Sequence, residues 1–172
     1  MKYNFALILI LFFSIKSNAQ CDRIDPLIQE LNNTQLKIRT GYVWFPAMYS
    51  APGDSLLKIG KPATQELINV LDDTSKGIIA HHILVTIWNE ELTKAGWDTR
   101  SGFIGSFEKS IPQNIAELLI GGLEFNKTKS IAELKIHGLK VFMDEWHLFC
   151  YHEDLNKNKT AWTNFMKNQI LP

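Results

Sequence analysis

The chain has 172 residues, 45% of them hydrophobic and 11% aromatic, with 18 basic and 18 acidic side chains. That composition excludes a disordered polymer and suits one domain with a sizeable core. It also excludes a phosphate-tracking surface, because Lys and Arg are scattered singly, with modest concentrations only at Lys127, Lys129 and Lys157, Lys159, where nucleic-acid binders cluster them.

Residues 1–19, MKYNFALILILFFSIKSNA, read as a cleavable export signal: a basic start at Lys2, an apolar run from Phe5 to Ile15, then small residues at Ser17 and Ala19. The pattern resembles bacterial signal peptides. Lys16, Ser17 and Asn18 end the run before the roughly 20 apolar residues that a membrane-spanning helix needs. The bulky Gln20 before Cys21 argues against a lipid anchor. Cleavage after Ala19 removes two lysines and leaves 16 basic against 18 acidic residues, a formal charge of −2. The expected product is one domain, residues 20–172, periplasmic or secreted, with no stable membrane insertion.

Cys21 and Cys150 both survive cleavage, and an even count in an oxidising compartment predicts a disulfide between them. The loop it would close exceeds a hundred residues, worth roughly 5 kcal/mol in the chain-entropy picture. The alternative is a buried free thiol at Cys150, within Leu148-Phe149-Cys150-Tyr151, and a frayed Cys21.

Helical spacing dominates the rest of the chain, and the expected fold is all-α: a compact bundle of about six to seven helices built from hairpins. Leu27, Ile28, Leu31 and Leu36 predict a short helix from about Asp25 to Gln35. Two prolines and two glycines make residues 40–53 an irregular aromatic segment, after which Asp54 or Ser55 offers a cap for a short helix towards Ile59. Pro62 opens a helix with Ala63, Leu67, Val70 and Leu71 on one face, and the polar run Asp72 to Ser75 breaks it and offers a cap for the next. Gly60-Lys61-Pro62, the first helix ending at Leu71-Asp72, the polar turn, and a second helix opening on Ile78 and Ala80 together resemble a HEAT-like repeat unit over residues 56–88, with Ile79 where that family carries Arg or Lys. The resemblance implies an α-α packing unit of the kind used for protein contacts.

From Lys76 to about Glu90 the pattern is apolar nearly all round, which predicts a helix buried at the centre of the domain. His81 and His82 project about 100° apart on it and read as members of a polar seam rather than as a metal pair. Residues 93–113 form the longest irregular connection, with Trp97, Phe103 and Phe107 between glycines; Ile115 to Leu123 is a short apolar stretch. Ile136, Leu139, Met143 and Trp146 predict a long amphipathic helix from Ser130 to about Trp146, and Trp162, Phe165, Met166 and Ile170 a last one from about Lys159.

Chemistry concentrates only in residues 144–154. Asp144 and His147 stand at i, i+3, from which two ligands can converge on one helical face, while His147 and His152 are five apart and diverge. No HExxH, paired CxxC, GxSxG or glycine-rich phosphate cradle is present, and no cofactor is implied. The leading expectation is therefore a noncatalytic protein-binding module, an inhibitor or immunity-type protein being one form of it, with Tyr42, Trp44, Phe45, Tyr49, Trp97 and Phe103 as candidate contacts or, equally, core residues. The alternative is a small exported hydrolase or metal-binding protein that uses Asp144, His147 and His152.

Overall fold

The computed structural model describes residues 23–39, 45–97, 99, 132–144 and 147–170. Residues 1–19 with the expected export signal, Cys21, Tyr42, Trp44, most of the 93–113 connection with Phe103, the 115–123 stretch and Trp146 lie outside them. Six α-helices and five strands are present among the described residues, so the fold is mixed α/β and the all-α expectation is corrected.

Residues 23–30 form α1. A 3-10 turn, Asn33–Gln35, leads into β1 (Leu36–Arg39), which pairs antiparallel with β2 (Phe45–Met48). Leu36, expected to close the first helix, instead opens a strand whose side chains alternate between core and solvent. The expected irregular segment thus contains a strand, and Pro46 is accommodated because a two-stranded ribbon has free edges.

Next come α2 (Ala51–Ile59), a 3-10 turn Lys61–Ala63, α3 (Thr64–Asn69), α4 (Gly77–Ile87) and α5 (Asn89–Lys94). The cap of α2 is Ser50, not Asp54 or Ser55: its Oγ accepts from the Gly53 amide at 3.0 Å and donates to Gln35 Oε1 at 2.7 Å. Pro52 falls in the first turn, where no intrahelical donor is needed.

The largest departure lies late in the chain, where the expected helix of residues 130–146 is a three-stranded antiparallel sheet, β3 (Ala132–Ile136), β4 (Leu139–Asp144) and β5 (His147–Phe149). His137 (φ 47°) and Gly138 (φ 82°) make the left-handed two-residue turn that suits the twist of a hairpin. Leu134 and Ile136 before the turn, then Leu139, Val141 and Met143 after it, all face the core. That is a period of two on each side of a phase break. Read across the break, Ile136, Leu139 and Met143 mimic helical spacing. The final helix, α6 (His152–Ile170), starts seven residues earlier than expected.

Two apolar clusters result. One is helical and holds Ile28, Leu56, Leu67, Leu71, Ile83 and Trp162; the other unites the sheet with Leu36, Ile78 and Leu155. α4 serves both, Ile78 reaching the sheet and Ile79, Ala80, Ile83 and Leu84 the helices, which is why its sequence is apolar nearly all round.

The start of α4 is held from a distance. Its N-cap position, Lys76, makes no side-chain cap bond, and the expected capping run instead folds on itself, Asp73 Oδ1 accepting from the amide and hydroxyl of Ser75. The cap comes from Asn33, whose Oδ1 accepts from the amides of Ile78 (3.1 Å) and Ile79 (3.0 Å) while its Nδ2 donates to the Thr74 carbonyl at 2.9 Å. Gly77 permits this close packing: a Cβ there would stand 2.3 Å from the Leu71 carbonyl oxygen. No helix among the described residues is long and apolar enough to cross a membrane.

Candidate functional site

Three imidazoles from two elements meet where the β3–β4 turn rests on α4. His81 is buried, and both of its nitrogens are engaged. Trp162 of α6 donates its indole N–H to His81 Nδ1 at 3.0 Å, and His81 Nε2 lies 3.2 Å from the His137 carbonyl oxygen. Since Nδ1 accepts, Nε2 carries the proton and donates to that carbonyl, so the ring is neutral. Burial, reinforced by the neighbouring His137 ring, pushes its pKa down to about 3.

His82, one residue on, places Nδ1 3.1 Å from His137 Nε2. The two ring planes differ by 21° with centroids 5.2 Å apart, so the rings meet edge to edge, as an N–H···N hydrogen bond requires. Only one proton fits between them. Burial, then the charge His137 would carry, pushes His82 down to about 4. His81 and His82 thus form the polar seam read from their spacing, and His137 is the member that reading missed. Among the described residues no group of three or more His, Cys, Asp or Glu is arranged to hold a metal ion.

The 144–154 candidates are dispersed. Asp144 and His147 are cross-strand partners in β4 and β5 rather than neighbours on a helical face, and His147 is exposed. His152 opens α6, with Nδ1 3.1 Å from the Asp72 carbonyl. Nearby, Lys159 Nζ donates to Asp72 Oδ1 (2.9 Å) and to the Asn69 carbonyl (2.8 Å), and the bond to Oδ1 is the chief cause holding the Asp72 carboxyl below its ordinary range. His152 and Lys159 therefore tie α6 to the α3–α4 turn.

The aromatic candidates divide. Trp97 packs on the helical core, its ring centroid 5.2 Å from that of Trp162 and 5.6 Å from that of Phe165. Tyr49 is 54% exposed, with the Arg39 guanidinium 5.5 Å from its ring centre. Phe45 lies in β2. Tyr42, Trp44 and Phe103 fall outside the described residues.

A different aromatic group occupies the outer face of the three-stranded sheet. Phe142 lies opposite Phe149 in the β4–β5 register, their centroids 5.4 Å apart, and Tyr151 meets Phe142 edge-on at 4.8 Å. Tyr151 is 57% exposed. Lys140 Nζ lies 5.2 Å from the Phe142 ring centre. Lys140, Phe142 and Phe149 alternate with the core-facing Val141, Met143 and Leu148, a signal visible once the strands are recognised, and Tyr151 follows β5 by two residues.

Behind that face, Cys150 is a buried free thiol that donates to the Lys140 carbonyl at 3.0 Å. Burial pushes its pKa up to about 12, so little nucleophilic thiolate forms at neutral pH. In a Cys21→Ser variant, Cys150 is expected to resist a water-soluble maleimide in the native protein and to react fully in denaturant; rapid native labelling would contradict this burial. Its expected disulfide partner, Cys21, lies outside the described residues.

Comparison with protein-family models, with curated proteins and with solved structures finds no match to this chain.

Proposed function

We propose that this chain is an exported, noncatalytic protein-binding module whose contact surface is the outer face of the three-stranded sheet. The observation that supports the reading is the contiguous Phe142, Phe149 and Tyr151 group, the first two on β4 and β5 and the third, more than half exposed, in the two-residue link from β5 to α6. Aromatic side chains present large contact area at small conformational cost, and they recur among the residues that dominate binding energy. The sheet holds Phe142 and Phe149, and Tyr151 packs edge-on against both, so little ordering has to accompany association.

The test is a photo-crosslinking amino acid placed at Tyr151 and, separately, at the exposed Lys157 on α6, in the cells that make the protein. The expected result is one defined protein adduct from position 151 and none from 157. With that partner purified, Tyr151→Ala is expected to weaken binding by about thirtyfold, the effect of losing a dominant aromatic contact of about 2 kcal/mol. No adduct, the same adducts from both positions, or unchanged affinity in Tyr151→Ala would reject this face.

A further inference from the structure

We infer that two copies of this chain pair edge to edge through β3, about a two-fold axis at Leu134, so that each three-stranded sheet continues into the other. Among the described residues β3 has a strand on one side only, the sheet order being β3-β4-β5. Ile136 and Leu139 flank the two-residue turn and close the hairpin as a hydrogen-bonded pair. Bonded and non-bonded pairs alternate from there, so Ala132, Leu134 and Ile136 turn their backbone groups to β4, and Glu133 and Lys135 turn theirs away. Lys135 is exposed. A row of outward backbone groups is a template for a further strand.

The sequence of β3, Ala-Glu-Leu-Lys-Ile, selects both the occupant and the register. A two-fold contact presents the same strand to itself, running antiparallel. With the axis at Leu134, Glu133 stands opposite Lys135 of the second copy, and Lys135 opposite its Glu133. Both are outward-bonding positions, so the amides and carbonyls of these two residues all find partners. An axis at Glu133 or at Lys135 would instead set like charges opposite each other, which destabilises a strand pair. On the core face the same register puts Leu134 opposite Leu134 and Ile136 opposite the smaller Ala132, so that apolar residues meet apolar ones.

The other sheet edges suit this role less. β2 lacks a backbone donor at Pro46, which blunts an edge against strand addition. β5 offers three residues where β3 offers five.

Two consequences follow. A five-residue edge buries less than a standard interface, so pairing depends on protein concentration. The axis runs normal to the sheet and keeps both outer faces on one side, which sets two Phe142, Phe149 and Tyr151 groups on a continuous surface. The pairing itself does not depend on what that surface binds.

Sedimentation velocity of the purified protein from about 5 to 500 µM reads the association. The expected result is a reversible monomer–dimer equilibrium. Lys135→Glu and Glu133→Lys each set like charges opposite at both cross-strand contacts, and each is expected to weaken pairing by about tenfold or more. The chain carrying both changes has the wild-type net charge and unlike charges opposite again; its association is expected within about threefold of wild type. An equimolar mixture of the two single variants also sets unlike charges opposite, and recovery there decides the matter should the double variant fail to fold. A wild type that stays monomeric to the highest concentration would overturn the pairing. So would single variants that associate like wild type, or a folded double variant as weak as the singles. A dimer indifferent to these charges but lost in Tyr151→Ala would overturn it as well, and would seat the second copy on the aromatic face.

Discussion

Asn33→Ala is expected to cost about 2–4 kcal/mol of folding stability, combining a lost helix cap with buried groups left unpaired. The residue is 4% exposed and its side chain alone makes three hydrogen bonds, to Ile78, Ile79 and Thr74. Alanine leaves two amides in the first turn of α4 without their acceptor. Water cannot replace it readily, because Gly77, Ile78 and Ile79 are buried. For a domain of this size the change corresponds to a fall of about 4–16 °C in Tm. Asn32 provides the control: it caps only the exposed 3-10 turn, accepting from Thr34 at 2.9 Å, and Asn32→Ala is expected to cost about 1 kcal/mol or less. Asn33→Asp should fall between, since the carboxylate still accepts at the helix start and suits its dipole but cannot donate to the Thr74 carbonyl. Urea midpoints of the three variants decide it; an Asn33→Ala protein within about 0.5 kcal/mol of wild type would show that the cap is dispensable.

How much of this arrangement can be read from the sequence depends on whether the cause is local. The burial of α4 is local, because Ile78, Ile79, Ile83, Leu84 and Val85 leave no polar face, and the reading of His81 and His82 as a seam follows from that. The Asn33 cap is not local. Asn33 precedes the amides it caps by 45 and 46 residues, whereas the nearer Asp73 and Ser75 match a capping pattern and bond to each other instead.

The sheet is lost for another reason. A two-residue turn at His137 and Gly138 shifts the alternating pattern by one position, and the spacing from Ile136 to Leu139 and on to Met143 then imitates one face of a helix. The positive φ of both turn residues is what separates the two readings, and His-Gly is a weaker signal for it than Asn-Gly or Asp-Gly. The same error hid His137 from the seam and Phe142, Phe149 and Tyr151 from the set of candidate contacts, since the expected helix ended near Trp146 and left Phe149 and Tyr151 beyond it.

Trp162 carries the second large effect, because it belongs to both the core and the seam. It is fully buried, with ring contacts to Trp97, Phe165 and His81, and Trp162→Ala is expected to cost about 3–5 kcal/mol through the cavity it leaves. Trp162→Phe is the sharper probe. It keeps an aromatic ring in place but removes the N–H that His81 Nδ1 accepts, at a cost of about 1–3 kcal/mol for an orphaned buried acceptor. In the wild type, His81 stays neutral down to about pH 3, so below about pH 6.5 the unfolded chain binds a proton that the native one refuses, and stability falls with pH. With the indole N–H gone, nothing opposes a proton on Nδ1 except burial and the other imidazoles, and the native chain resists protonation less. The Trp162→Phe penalty should therefore be largest at pH 7.5 and narrow by pH 4.5, where urea midpoints of the two proteins approach each other. A penalty that stays constant between those pH values would mean that the indole fills space without setting the protonation of His81.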